Sequence, residues 1–516
     1  MMTKNISKFL LLSVIIFFFG CGDDFLDRQP LDQRAESNFY QSQSDAEEAL
    51  VAMYDAVGWN TVVGFHPIQL VADVLSDDSF AGGASRNDVP VYVNMDKHQS
   101  LTTGGEIHGL WRKYYTGIYR ANLYLEKIEG IAEIDPAFKT RTIAEAKFLR
   151  AYYYSDLLKL FERVPLLTET LKAPSEYAQP QAEPEAIIAQ IAQDLVDAIA
   201  DLPTEVSMAE AGRVTKWAAQ GILARTYLFV NGVYGTEMSA TVNQQYVLNQ
   251  LEDMIANSGH DLMANYGDNF LRSSEFGIES VFEISYSDAF PWFDWGFIQG
   301  GEGNMAAQMQ GPRLQDPGIE LYEAGWSFGP VTQELYDAFE DGDPRRAITI
   351  LEETELNGGL NIGYQHTGFF NQKYTTSKEY MGDGQLELNW GNNLRVVRFS
   401  DVLLMAAELG SPNAQDYLDR VRARVGLPSV PVSQEAIRQE RRVELALEGV
   451  RYHDLIRYGL DVADEAINTD GARGPGYIGD DIDFASRFNT ARRGLFPIPQ
   501  TEIDISNGLY TQNAGY

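Results

Sequence analysis

Cys21 is the only cysteine in this 516-residue sequence, and it follows an apolar run from Phe9 to Phe19 and the small residue Gly20. A lone thiol in that place is a nucleophile for lipid attachment, because no second cysteine remains to pair with it inside the chain. Further on, Phe290, Trp292, Phe293, Trp295 and Phe297 crowd into a segment broken by Pro291 and by glycines. So many large apolar rings exceed what a solvated loop normally carries, and flat rings stack on the apolar C–H faces of sugars. Asp288, Asp294, Gln299 and Asn304 stand nearby to hydrogen-bond hydroxyl groups. Glu440, Glu444 and Glu448 form a row at i, i+4 and i+8 spacing. Like charges on one helical face need cations. Arg441, Arg442, Arg451 and Arg457 are at hand in sequence, with Arg422 and Arg424 approaching from a preceding helix. The row reads as a structural ion network rather than a catalytic carboxylate pair.

Other chemistry finds little support. The six histidines show no H-E-x-x-H or related ligand spacing, and without further cysteines no metal site is expected. Asp480, Asp481 and Asp483 lack the rest of a calcium-loop pattern and read as a solvated acidic turn. No G-x-S-x-G element, phosphate loop or dinucleotide fingerprint occurs, so no catalytic residue and no cofactor is assigned. Acidic residues are so numerous that carboxylate pairs for glycoside hydrolysis can be drawn anywhere, which makes them uninformative. The net charge is −34, from 40 basic and 74 acidic residues. Such a field repels phosphate backbones and excludes nucleic acid as a partner.

The elements that must position these groups begin with the export signal. Lys4 and Lys8, the apolar run and Gly20 make residues 1–20 a signal peptide, too short in its apolar part to span a bilayer. Gly20-Cys21 resembles a bacterial lipobox, although Phe18 and Phe19 depart from its usual Leu and small residue. The alternative is an ordinary signal peptide with a chance cysteine. Residues 21–43 read as a tether. Ser44 and Glu47 have capping-box spacing at the start of a helix whose stripe is Ala46, Ala49, Leu50, Met53, Tyr54 and Val57. Residues 61–106 read as long connecting loops. Further helices are expected around Trp111 to Ile128, Thr140 to Phe161, Pro184 to Asp201 and Lys216 to Val230, with Gly221 and Ala224 letting a neighbouring helix come close. Trp111 and Trp217 fall on these buried stripes. Phe282, Ile284 and Tyr286 alternate with Glu283 and Ser285 as a half-buried strand. Helical spacing returns at Phe399 to Leu409, Ala414 to Val425 and Ser433 to Gly449, and the last fifty residues read as closing loops. The organisation is a helical part from 44 to 260, an irregular insert from 261 to 395 and a helical part with tail from 396 to 516, forming one compact unit.

Several segments resemble the SusD/RagB-like surface lipoproteins. They are CGDDFLD at Cys21 to Asp27, W-R-x-x-Y-x-x-I-x-R-A-N from Trp111 to Asn122, AEAKFLRAYYY from Ala144 and VPLL from Val164. GILARTYL from Gly221, DGDPRR from Asp341 and RFSDVLLMAAEL from Arg398 continue the likeness. VRARVGL from Val421, ERRVELALEGVRYHDLIRYG from Glu440, LFPIPQTEI from Leu495 and TQNAGY at the end complete it. The resemblance implies a mainly α fold, a tetratricopeptide-like helical-hairpin scaffold (an α/α superhelix) carrying an irregular loop-rich insert with a few short strands. It implies a protein that is not an enzyme. Such a protein is lipid-anchored at Cys21 on the outer membrane, faces the cell exterior, binds an oligosaccharide and delivers it to a SusC-like TonB-dependent transporter. A peptide ligand is the alternative within the family, and a surface glycoside hydrolase a more distant one. Ligand contact is expected from Trp292 and Trp295 above all, with Phe290, Phe293 and Asp294. Trp326, in a Gly-Trp pair before Pro330, serves packing or contact, and Trp59, His66 and Phe80 from the early loops are expected to supply a second wall.

Overall fold

The computed structural model describes residues 39–289, 292–293, 301–316, 321–357, 359–479 and 486–516. Up to residue 257 the chain is a row of helices: α1 (Gln43–Gly58), α2 (Ile68–Leu75), α3 (Pro90–Asp96), α4 (Gly105–Lys127), α5 (Pro136–Phe161), α6 (Pro184–Asp201), α7 (Lys216–Tyr234) and α8 (Gln244–Asn257). Side-chain caps start several of them. Asp135 accepts from the Phe138 N–H at 2.8 Å with Pro136 in the first turn, while Thr215 and Asn243 cap α7 and α8. Successive helices from α4 to α8 pack on one another and α1 lies against α4, which is the helical-hairpin scaffold. The close fit of α4 on α5 depends on Gly117. A Cβ there would meet the Tyr153 ring at 2.3 Å, so the ring seats in that notch and its hydroxyl reaches the Met53 carbonyl of α1 at 2.6 Å.

The second half is less regular. It contains β1 (Ser280–Ile284), α9 (Met305–Gln310), α10 (Gln333–Ala338), α11 (Arg345–Thr349), β2 (Ile350–Glu352), β3 (Phe369–Asn371) and β4 (Leu394–Arg398). After these come α12 (Phe399–Glu408), α13 (Ala414–Arg424), α14 (Gln434–Glu444), α15 (Arg451–Tyr458), α16 (Leu460–Ile467) and α17 (Gln500–Ile505). β1 pairs antiparallel with β4, placing Glu283 opposite Arg395, and β2 pairs with β3. One large core runs through both halves, from Leu50 and Leu70 to Leu403 and Leu455.

Several sequence expectations need correction. The cap of α1 is Ser42 with Asp45, not Ser44 with Glu47: Ser42 Oγ accepts from the Asp45 N–H at 3.2 Å and Asp45 accepts from the Ser42 N–H at 2.9 Å. The stretch 61–106 holds α2 and α3, and α2 is buried almost all round, so it shows no polar face to reveal its period. Gly221 admits a strand rather than a helix, since a Cβ there would lie 3.0 Å from Val397 of β4. β1 is buried on both faces: Glu283 accepts from Asn393 Nδ2 and from the Phe276 N–H, each at 3.0 Å.

The glutamate row is an ion network that Arg422 and Arg424 join as expected, but its other cations are not the neighbouring arginines of its own segment. Glu440 meets Arg345 at 2.5 Å and Arg422 at 2.9 Å, Glu444 meets Arg424, Arg398 and Arg345, and Glu448 meets Arg398 and Lys373, both at 2.8 Å. Arg441 and Arg457 turn away to Asp401, Asp454 and Glu408, and Arg442 and Arg451 to Asp77. Burial alone would raise the Glu444 carboxyl, yet Arg424, Arg398 and Arg345 outweigh it and hold it well below the usual range.

Candidate functional site

The short buried helix α9 draws the candidate segments together. Asn304 caps it, accepting from the Ala306 N–H at 3.0 Å and donating to the Asn392 carbonyl at 2.8 Å, and Asn60 reaches the same side chain at 3.5 Å. The Gln308 carbonyl accepts from the Trp326 N–H at 2.9 Å, and its side chain accepts from Trp390 Nε1 at 3.1 Å. Beside Trp390, the fully buried Asn389 grips the backbone of Trp292. Its Oδ1 accepts from the Trp292 N–H at 2.7 Å, and its Nδ2 donates to the Trp292 carbonyl at 2.8 Å. The segments after Trp59 and around Trp292 and Trp326 are thus fixed to a common support.

Next to that support lies a cleft of about 940 Å³ including its open mouth, walled by Tyr54 and Asp55 of α1, by Trp59, by Tyr286 and by Gly301–Glu302. The Arg120 guanidinium stands 4.9 Å from the centre of the Trp59 ring and binds Asp55 at 2.7 Å. Tyr286 donates to Asn60 Oδ1 at 3.3 Å, and Tyr54 donates to Glu145 at 2.6 Å while accepting from the Val214 N–H at 3.1 Å. Arg213 faces Glu47 and Glu145, each at 3.6 Å. The cleft therefore joins an aromatic wall to carboxylate acceptors while its arginines are already engaged. Such a surface suits a neutral ligand with alternating apolar and hydroxyl faces. Among the described residues no group of His, Cys, Asp or Glu is placed to hold a metal ion.

The sequence candidates divide. Trp292 is half-buried against the core, and Phe293 beside it is 71% exposed. Trp326 is half-buried with its ring edge-on to Phe65 at 5.6 Å. His66 is fully buried and is corrected from binding wall to core: burial and the charge of Lys113 push its pKa down to about 3, and its ring packs where a Cβ on Gly109 would come within 2.4 Å. Phe80 is also core, edge-on to Tyr477. Asp288 is bound to Arg272 through both oxygens, and Asn304 is buried as the cap of α9. Trp111 and Trp217 are buried as expected. Cys21, Phe290, Asp294, Trp295, Phe297, Gln299, Asp480, Asp481 and Asp483 lie outside the described residues. Sequence reasoning missed Asp55 and Arg120. The only trace of the first is its place four residues before Trp59, and of the second its place in the Trp111–Asn122 segment.

Comparison with known proteins adds the following. Residues 293–516 match the SusD family, and residues 24–228 match a family described as starch-binding associating with outer membrane. A SusD-like protein of Formosa agariphila is 28% identical over 506 residues, covering 89% of this chain and 90% of its own. The solved structure of a laminarin binding SusD-like protein is 34% identical with a TM-score of 0.80, covering 92% of this chain and all of that one. Surface glycan-binding protein A from Bacteroides thetaiotaomicron, solved in complex with laminarihexaose, is 28% identical with a TM-score of 0.80, covering 91% and 99%.

Proposed function

We propose, from the premise that this chain belongs to the SusD family, that it captures a neutral glycan of the laminarin type at the cell surface and hands it to a SusC-like TonB-dependent outer-membrane transporter. The work is binding, not turnover. The observation that carries the reading is the cleft in which Trp59, braced by Arg120 and Asp55, stands beside a support where α9 holds Trp326 and the neighbouring Asn389 holds Trp292. Rings of this kind cover the apolar faces of pyranose units, and the neighbouring carboxylate oxygens accept from their hydroxyls. The arginines near the cleft are committed to Asp55, Glu47 and Glu145, which turns the site away from polyanionic sugars. The relatives that carry laminarin or laminarihexaose in their descriptions support the choice of glycan. In this reading Cys21 carries the lipid anchor and the body faces outward.

Titration calorimetry with laminarihexaose tests it. Trp59→Ala and Trp292→Ala are each expected to weaken binding by about tenfold or more, the worth of a stacked ring. Full affinity in both variants would sink the assignment.

A further inference from the structure

All 27 tyrosines of the chain fall among the described residues, and only two of them are exposed, Tyr119 at 50% and Tyr177 at 62%. Both wall the same hollow. It holds about 830 Å³ including its open mouth, lies between α4, segment 165–179 and the C-terminal tail, and shares no wall residue with the Trp59 cleft. The two sites leave α4 in different directions. Arg120 reaches the Trp59 ring, while Tyr119, the residue before it, is turned by about 100° round the helix.

Arg112, Tyr115 and Tyr119 are spaced by threes and fours on α4, so they form one stripe along the hollow. The buried Trp111 ring supports the stripe from behind, with its centre 5.1 Å from that of Tyr115 and 6.3 Å from that of Tyr510. The walls are tied in place by the protein itself: Tyr115 donates to the Pro165 carbonyl at 2.7 Å, and the Leu167 and Thr511 N–H groups donate to the Tyr154 hydroxyl at 2.6 Å and to Gln181 Oε1 at 2.8 Å. A ligand here meets rings already ordered and loses less in ordering them. Polar groups stand beside the rings. In a chain with 74 acidic residues against 40 basic ones, the exposed Arg112 guanidinium still meets no carboxylate among the described residues, which leaves its donors for a ligand. Glu502 binds His108 through one oxygen at 2.9 Å and keeps the other as an acceptor. A single exposed ring is ordinary, but two that converge on one hollow with an uncommitted donor and an acceptor match the apolar faces and hydroxyl edges of a sugar.

We infer that this hollow is a second carbohydrate site, in which Tyr119 and Tyr177 stack on pyranose rings while Arg112 and Glu502 bond their hydroxyls, and that it fills independently of the Trp59 cleft. Its choice of ligand rests on the glycan-binding reading above. One chain then holds two oligosaccharide molecules on different sides of α4.

Titration calorimetry of the full chain with laminarihexaose tests this and is expected to show two binding events. Tyr119→Ala combined with Tyr177→Ala is expected to weaken one event by about tenfold or more and to leave the other unchanged, because the Trp59 cleft contains neither ring. Trp59→Ala has the opposite effect. Replacing both tyrosines by Phe keeps the stacking faces and should keep both events. The two side chains are exposed, so thermal unfolding of the alanine pair should match the parent. A single event in the parent that Trp59→Ala weakens, or two events that both survive the alanine pair, overturns the second site and leaves the glycan reading standing. A single event that the alanine pair weakens and Trp59→Ala leaves intact overturns the Trp59 cleft and keeps the hollow. No binding of laminarihexaose at all overturns both.

Discussion

Arg120 holds two partners at once, the Trp59 ring at 4.9 Å and Asp55 at 2.7 Å. A lysine there keeps the charge but loses the planar fork that serves both. Arg120→Lys is therefore expected to weaken laminarihexaose binding by about threefold to tenfold, measured by calorimetry. Unchanged affinity would remove Arg120 from the positioning of the ring. His66 is the opposite case, a residue whose chemistry the fold has silenced. The unfolded chain takes up a proton there near pH 6.5, whereas burial and Lys113 delay uptake in the folded chain to about pH 3. Stability from the neutral ring is whole above pH 6.5 and is lost as pH falls toward 3, at up to about 1.4 kcal/mol per pH unit. His66→Leu abolishes this contribution, so in urea melts the variant should gain on its parent steadily from pH 6.5 to 4. A constant difference across that range would show that the folded chain accepts the proton.

At the scale of elements, the charge network ties the insert to the C-terminal helices. Glu444 of α14 receives Arg345 from α11, Arg398 from the end of β4 and Arg424 from α13, with all four side chains buried. Removing one partner from such a cluster leaves cations buried without compensation. Glu444→Gln is expected to cost about 3–5 kcal/mol in denaturant unfolding. Glu340→Gln offers the contrast: its carboxylate, 48% exposed, meets the same α13 through Arg422 and should cost about 1 kcal/mol or less. Equal effects would mean that burial does not set the worth of these pairs. The same elements show what a sequence can reveal. The bounds of α6 were legible to the residue, because Pro184 opens a clear apolar period and Leu202-Pro203 closes it. The glutamate row was legible as a network, and so was the approach of Arg422 and Arg424. Arg345 and Arg398 were not, since each stands more than forty positions from Glu444 and only the fold brings them near. The tie of Trp326 and of the segment after Trp59 to α9 was hidden for the same reason: α9 is a short helix buried throughout and has no face for a period to show. His66 looked like a loop residue because α2, which begins two positions later, carries no polar stripe.

For the whole molecule the question is what keeps so acidic a protein, with a full-chain net charge of −34, at a membrane. Among the described residues no helix is long and apolar enough to cross one. Like charge gives anionic lipid surfaces no hold on the protein. In the proposed reading attachment therefore falls entirely to acyl chains on Cys21, each buried methylene contributing about 0.8 kcal/mol, with two or three chains needed for durable anchoring. Because neither a spanning helix among the described residues nor attraction to lipid charge supplements the anchor, its loss should release the protein from the lipid. Cys21→Ala is expected to move the protein from the membrane fraction to the soluble fraction of lysed cells, and low salt should not restore it. Binding of laminarihexaose by the released protein should be unchanged, since the Trp59 cleft is built from residues beyond the tether. A Cys21→Ala protein that still sediments with membranes would mean that a protein surface, such as one presented to the transporter, holds the body in place.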